Sequence, residues 1–146
     1  MEALLENQLQ RRDGLVSTQE ALAQKTFIGL YFSAHWCPPC REFTPMLARV
    51  YEEIRRAHDD LEIVFVSYDK TQEQFDEYFA EMPWLALPFA KRDLKAAIGK
   101  RLGIMGVPML VFVNADGEII ETDGRELVED NCDQVENILA SLRDNK

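Results

Sequence analysis

Long apolar runs are missing from this sequence of 146 residues. No stretch approaches the roughly 18 apolar residues that cross a membrane, and the opening MEALLENQLQRRDG lacks the apolar segment of a signal peptide. A soluble, cytoplasmic protein with no membrane contact is the expectation. Positive charge is scarce: 16 basic residues stand against 26 acidic ones, a net charge of -10, which argues against nucleic acid as a partner. The acidic excess would suit a basic partner, but solubility accounts for it first. Histidines number two and cysteines three. A structural zinc site takes about four ligands in paired clusters. Here one CxxC, a distant Cys132, His35 beside the CxxC and His58 at a helix end offer no second pair, so no metal is expected. Also absent are G-x-G-x-x-G, P-loop and G-x-S-x-G elements, which demotes nucleotide chemistry and serine hydrolysis. With no repeat, low-complexity tract or Pro/Gly/Ser linker, residues 1–146 read as one domain.

What is present is 47% hydrophobic, enough for a core that needs no disulfide staples. Residues 26–34 (TFIGLYFSA) and 61–68 (LEIVFVSY) are short, rich in aromatic and β-branched residues and continuous rather than alternating, as in central strands covered on both faces. Between them, Phe43, Met46, Leu47, Val50, Tyr51 and Ile54 recur at spacings of three and four, which predicts a helix over 41–58 and a parallel βαβ unit. Thr71 and Gln74 form a capping box ahead of a helix at 72–80. MPWLALPF (82–89) reads as a proline-bounded loop, and 93–102 as a helix closed by Gly103. A hairpin at 109–113 and 118–121 turns on NADG, and 128–142 predicts the closing helix. Residues 14–17 and 18–24 suggest an edge strand and a short helix.

The chemistry concentrates in HWCPPC (35–40). A thiol attacks only as thiolate, and an ordinary cysteine supplies a few per cent of that at neutral pH. Cys37 falls where the first strand gives way to the helix, so unpaired N–H groups and the positive end of the dipole point at its sulfur. Cys40 is one turn inside, more buried and less ready to ionise. The predicted roles are therefore unequal: Cys37 attacks a disulfide and Cys40 resolves the mixed disulfide. Pro38 and Pro39 suit the first helical positions, and they leave the N–H groups of Cys40 and Arg41 as the donors within reach of the sulfur. A purely structural Cys37–Cys40 bridge would close too small a loop to restrain the unfolded chain. Trp36 offers a flat apolar surface for a substrate, whereas His35 reads as a surface histidine rather than a base. Val107 and Pro108 precede a strand, where proline is tolerated and the X-Pro bond is open to cis. Cys132, among acidic neighbours on the predicted last helix, reads as inert.

Together YFSAHWCPPCREFTPML (31–47), EIVFVSYD (62–69), MPWLALPF (82–89) and GVPMLVFVNADGEII (106–120) resemble, in order and spacing, the thioredoxin superfamily and within it the tryparedoxin and nucleoredoxin group. The resemblance covers residues 14–143. It implies an α/β thioredoxin-like fold, a central mixed β-sheet flanked by helices on both faces, with a cis Val107–Pro108 bond facing Cys37 and Cys40. It implies a thiol-disulfide oxidoreductase with no bound cofactor, working as a monomer on disulfide-containing protein acceptors such as peroxidases. Electrons would come from a low-molecular-weight dithiol such as trypanothione, from glutathione or from a reductase. The nucleoredoxin side of the group implies an alternative, a redox-gated regulatory module with little turnover. Tyr31 stands where ordinary thioredoxins place a buried aspartate, which leaves the proton acceptor for Cys40 unassigned. Lys70 follows Asp69 where tryparedoxins tend to continue with acidic residues, and the tail from Gly124 onward looks more like a nucleoredoxin ending.

Overall fold

The computed structural model describes residues 1–145. In chain order the elements are α1 (Glu2–Leu5), β1 (Gln8–Arg11), β2 (Gly14–Ser17), α2 (Thr18–Ala21), β3 (Phe27–Ser33), α3 (Pro38–Ala57), β4 (Leu61–Ser67), α4 (Gln72–Phe79), β5 (Leu85–Ala86), α5 (Arg92–Leu102), β6 (Met109–Asn114), β7 (Ile119–Glu121), α6 (Gly124–Asp130) and α7 (Val135–Asn145). One mixed sheet runs in the order β2-β1-β5-β4-β3-β6-β7, with β3, β4 and β5 parallel and the remaining pairs antiparallel.

Every residue of β3 and β4 is buried, as expected of central strands covered on both faces, with Ser33, Glu62 and Ser67 the polar exceptions. Alternate residues feed two cores. Phe27, Tyr31, Ile63, Phe65 and Phe112 pack with Phe43, Leu47, Val50 and Ile54 of α3, with Phe75 and Tyr78 of α4, and with α6 and α7. Ile28, Leu30, Phe32, Val64, Val66 and Val111 pack on the opposite face against α1, α2 and Ile98 and Leu102 of α5. The predicted arrangement of helices on both faces is therefore present. At the end of the strands remote from HWCPPC, the buried Glu62 carboxylate accepts from Tyr51 Oη at 2.7 Å, from Arg55 Nη1 at 3.2 Å and from the Ile63 N–H at 2.9 Å. This bonding meets the cost of burying the charge.

Local chemistry sets the element ends. Gly103 caps α5 at φ 70°, and Gly117 turns the β6–β7 hairpin at φ 84°, both in the left-handed region that glycine enters freely. Thr71 Oγ1 accepts from the Gln74 N–H at 3.1 Å as predicted, but the Gln74 side chain reaches one residue further back, to the N–H of Lys70 at 2.9 Å.

Four features differ from the sequence reading. MPWLALPF contains β5, whose two residues pair with β4 and, through Ala86, with Gln10 of β1. β1 itself has only Leu9 fully buried, so its pattern is too polar to read as a strand. The four-residue α1 likewise escaped the reading. The predicted closing helix is two, because the polar run EDNCDQ breaks the apolar period and the Asn131 side chain donates back to Leu127 O at 2.9 Å as α6 ends. Cys132 consequently lies in the turn between α6 and α7, half-buried against the first core.

Candidate active site

β3 ends at Ser33, and four residues later Cys37 forms the N-cap of α3 in extended conformation. Its sulfur accepts the Cys40 N–H at 3.4 Å. The second donor expected from sequence, the Arg41 N–H, instead makes an ordinary helical bond to the Cys37 carbonyl at 3.1 Å. Pro38 and Pro39 occupy the first two helical positions and are exposed beside the sulfur. On the other side of Cys37, the Val107 carbonyl lies 3.8 Å from Sγ, and the Val107–Pro108 bond is cis. Tyr68 and Val107 pack against Ala34, Cys37 and Cys40. Trp36 is 51% exposed, and its Nε1–H donates to the Tyr68 carbonyl at 3.2 Å. The structure thus gathers Trp36, Cys37, Pro38, Pro39, Cys40, Val107 and Pro108 at the carboxyl end of β3, where α/β folds place their ligands.

An anchor for this loop escaped the sequence reading. Asp69, buried just past β4, accepts the His35 N–H at 2.7 Å through Oδ1 and the Ser67 hydroxyl at 2.8 Å through Oδ2. A carboxylate ending an apolar strand was the available signal. The His35 ring stacks on Tyr78 with centroids 5.3 Å apart, and its nitrogens lie 4.0 and 3.9 Å from Glu77 and Glu81. It serves the packing of that flank.

Behind Cys40 lies a sealed set of hydroxyls. Tyr31 Oη and Tyr78 Oη stand 2.7 and 2.6 Å from Thr44 Oγ1, and Ser33 Oγ stands 2.7 Å from Tyr78 Oη. Thr44 Oγ1 also donates to the Cys40 carbonyl at 2.9 Å, and a carbonyl only accepts. Thr44 has one hydrogen, so it accepts from both tyrosines. Tyr78 has then spent its own hydrogen and accepts from Ser33. Ser33 is left with lone pairs, not a hydrogen, for a protonated Cys40. Burial pushes the Cys40 thiol up to about 11, with the Cys37 hydrogen bond adding to the rise and Ser33 opposing it. Burial also raises Tyr31 and Tyr78 above the ordinary phenol value, so both stay neutral.

The flank formed by Tyr68 carries positive charge. Lys95 Nζ lies 4.0 Å from the centre of the Tyr68 ring, and Lys70 Nζ lies 5.9 Å from that of Trp36. Beneath them Arg92 Nη1 donates to the Ser67 carbonyl at 3.0 Å. Burial lowers the basicity of Lys95, and the neighbouring Arg92 charge lowers it further.

Comparison with known proteins agrees with this geometry. The Thioredoxin-like family matches residues 25–119. The chain is 44% identical over 117 residues to probable nucleoredoxin 1 of Arabidopsis thaliana, a match covering 80% of this chain and 20% of that protein. It is 43% identical over 123 residues to the tryparedoxin of Trypanosoma brucei brucei, covering 84% of this chain and 83% of the relative. A solved tryparedoxin II with glutathionylspermidine bound superposes with TM-score 0.81 at 35% identity, covering 87% of this chain and 88% of that one. The chain spans only 20–28% of the length of the nucleoredoxins it matches, but 83% of the tryparedoxin. The chain belongs to the thioredoxin-like family, within the group that holds the tryparedoxins and nucleoredoxins.

Proposed function

We propose that the protein is a thiol-disulfide oxidoreductase that reduces disulfides in partner proteins, with Cys37 attacking and Cys40 resolving. The observation that carries this reading is the asymmetry of the dithiol: Cys37, 5% exposed, caps the helix beside the exposed Trp36, whereas Cys40 sits one turn inside with no exposed surface and its thiol pushed up to about 11 by burial. In the first step the Cys37 thiolate forms a bond to one sulfur of the partner disulfide, and the other sulfur leaves as thiolate and takes a proton. Cys40 then loses its proton, attacks Cys37 Sγ and releases the second partner thiol. The dithiol ends as a Cys37–Cys40 disulfide, two electrons poorer, and the partner gains them. As the Cys40 proton departs, Ser33 turns its hydrogen to the new thiolate and Tyr78 turns its own to Ser33, which keeps every hydroxyl bonded. Trp36, Pro38, Pro39, Val107 and Pro108 form the docking rim.

The chain acts in this reading as one monomeric domain over residues 1–146, without cofactor, in the cytoplasm. In support, a single sheet contains every strand, and no helix among the described residues is long and apolar enough to cross a membrane. The donor is a low-molecular-weight dithiol or a reductase; a tryparedoxin II is known in complex with glutathionylspermidine. Peroxidases are among the acceptors. Stopped-flow reduction of the oxidised protein, followed by Trp36 fluorescence with trypanothione, glutathione and a thioredoxin reductase system in parallel, tests it. Reduction by at least one donor, with onward reduction of a protein disulfide, is the expected result; inertness toward all three would contradict the reading. The match to a fraction of each nucleoredoxin favours one second reading, a redox-gated binding module. Partners captured equally by a variant with both cysteines changed to serine would point there.

A further inference from the structure

The net charge of -10 conceals a cationic flank at the dithiol. Lys95 over Tyr68, Lys70 over Trp36 and the Trp36–Tyr68 hydrogen bond join two ammonium groups and two rings into one patch, and Tyr68 packs against the cluster of Ala34, Cys37 and Cys40. Among the described residues neither lysine has a carboxylate within 4.0 Å, although acidic residues outnumber basic ones by ten. Met105, two residues before Val107, is 96% exposed and adds an apolar rim. On the far side of the thiol loop the field reverses, because Glu77 and Glu81 flank His35.

We propose that this patch selects the acceptor: an extended disulfide-bearing segment whose carboxylates, on one side of its reactive cysteine, meet Lys70 and Lys95 while its chain lies against Trp36 and Met105. The inference rests on the oxidoreductase reading and adds the substrate class. At long range the acidic protein repels an acidic partner, but salt screens that term within about 10 Å while contacts persist. The recognised carboxylates therefore sit within a few residues of the cysteine rather than spread over the partner. Lys95 is already partly desolvated, so pairing it with a carboxylate forfeits less hydration than pairing a fully wetted lysine. The rings fix both ammonium groups in place, as cation–π contacts do at exposed sites.

The test uses single-cysteine peptides carrying a 2-thiopyridyl disulfide, with two Asp, two Ala or two Lys on one side of the cysteine, each side in turn. Cys37 takes the peptide sulfur and pyridine-2-thione leaves, which is read by absorbance; Cys40 then frees the peptide thiol. For one of the two sides, the second-order rate constant for pyridine-2-thione release from the reduced protein at low ionic strength is about tenfold higher with the Asp peptide than with the Lys peptide, and the ratio shrinks toward unity in about 0.5 M salt. Lys70→Gln with Lys95→Gln levels the ratio, and Lys70→Glu with Lys95→Glu inverts it. The ratio is the readout because a general change in Cys37 reactivity moves all peptides together. Equal rates for Asp and Lys peptides, or a preference untouched in folded variants, overturn the inference while leaving the oxidoreductase reading in place. Inertness toward every peptide removes both.

Discussion

Cys37 and Cys40 are three residues apart and share a helix turn, yet they face opposite kinds of surroundings. Cys37 is itself only 5% exposed and accepts the Cys40 N–H, but its rim reaches solvent: an indole half exposed, two exposed prolines, and two ammonium groups that have no carboxylate within 4.0 Å among the described residues. Around Cys40 the structure is closed, with Ser33, Thr44, Tyr31 and Tyr78 all under 4% exposed and bonded to one another. The difference teaches that a CxxC motif acquires direction from its two flanks. In the proposed mechanism one flank admits a partner, and the other keeps a proton until the partner is bound.

Removing each thiol breaks the comparison most severely. Cys37→Ser is expected to abolish turnover, whereas Cys40→Ser accumulates a mixed disulfide between Cys37 and the partner, detected by intact-mass spectrometry. Next in size is a pH effect. The folded chain holds the Cys40 proton more tightly than an unfolded chain, whose cysteine titrates near 8.5. Its contribution to stability is therefore complete below about pH 8.5 and is lost as pH rises toward the folded value of about 11. Across that window the reduced wild type should lose roughly 2–3 kcal/mol relative to Cys40→Ser in urea unfolding.

The closed side is probed by Tyr78→Phe, which strips Thr44 of a donor and Ser33 of its acceptor. A buried hydroxyl left without its partner makes this variant less stable by roughly 1–3 kcal/mol in the same assay. Ser33→Ala removes the group that opposes the rise at Cys40 and should move Cys40 alkylation to still higher pH. The smallest effect is expected on the open side. A methyl at Gly99 would lie 2.9 Å from Tyr68 Oη and press on the ring beneath Lys95. Gly99→Ala should lower kcat/KM for peptide disulfides about two- to threefold with little change in melting temperature, since the displaced atom ends a side chain and alanine favours the helix.

Much of this division was legible in the sequence. Unbroken apolar runs located β3 and β4, the strand-to-helix junction placed Cys37 at the N-cap, and Pro108 marked the loop that faces it. The hydroxyl set was not legible, because Ser33, Thr44 and Tyr78 lie on three elements and meet only through tertiary packing. Tyr31 was noticed as a departure without a partner to explain it. The cationic flank was hidden for a different reason: composition sums charge over the whole chain, while Lys70 and Lys95 come together only when α5 packs beside the end of β4. β5 was missed because two residues between prolines have no period of their own.

The most direct test of the unequal dithiol is iodoacetamide labelling of the reduced protein from pH 6 to 11, with each cysteine quantified by peptide mapping. Labelling of Cys37 ahead of Cys40, with Cys40 joining only as pH approaches about 11, is the result this account predicts. Labelling of Cys40 as fast as Cys37 near pH 7 in the folded protein would contradict it.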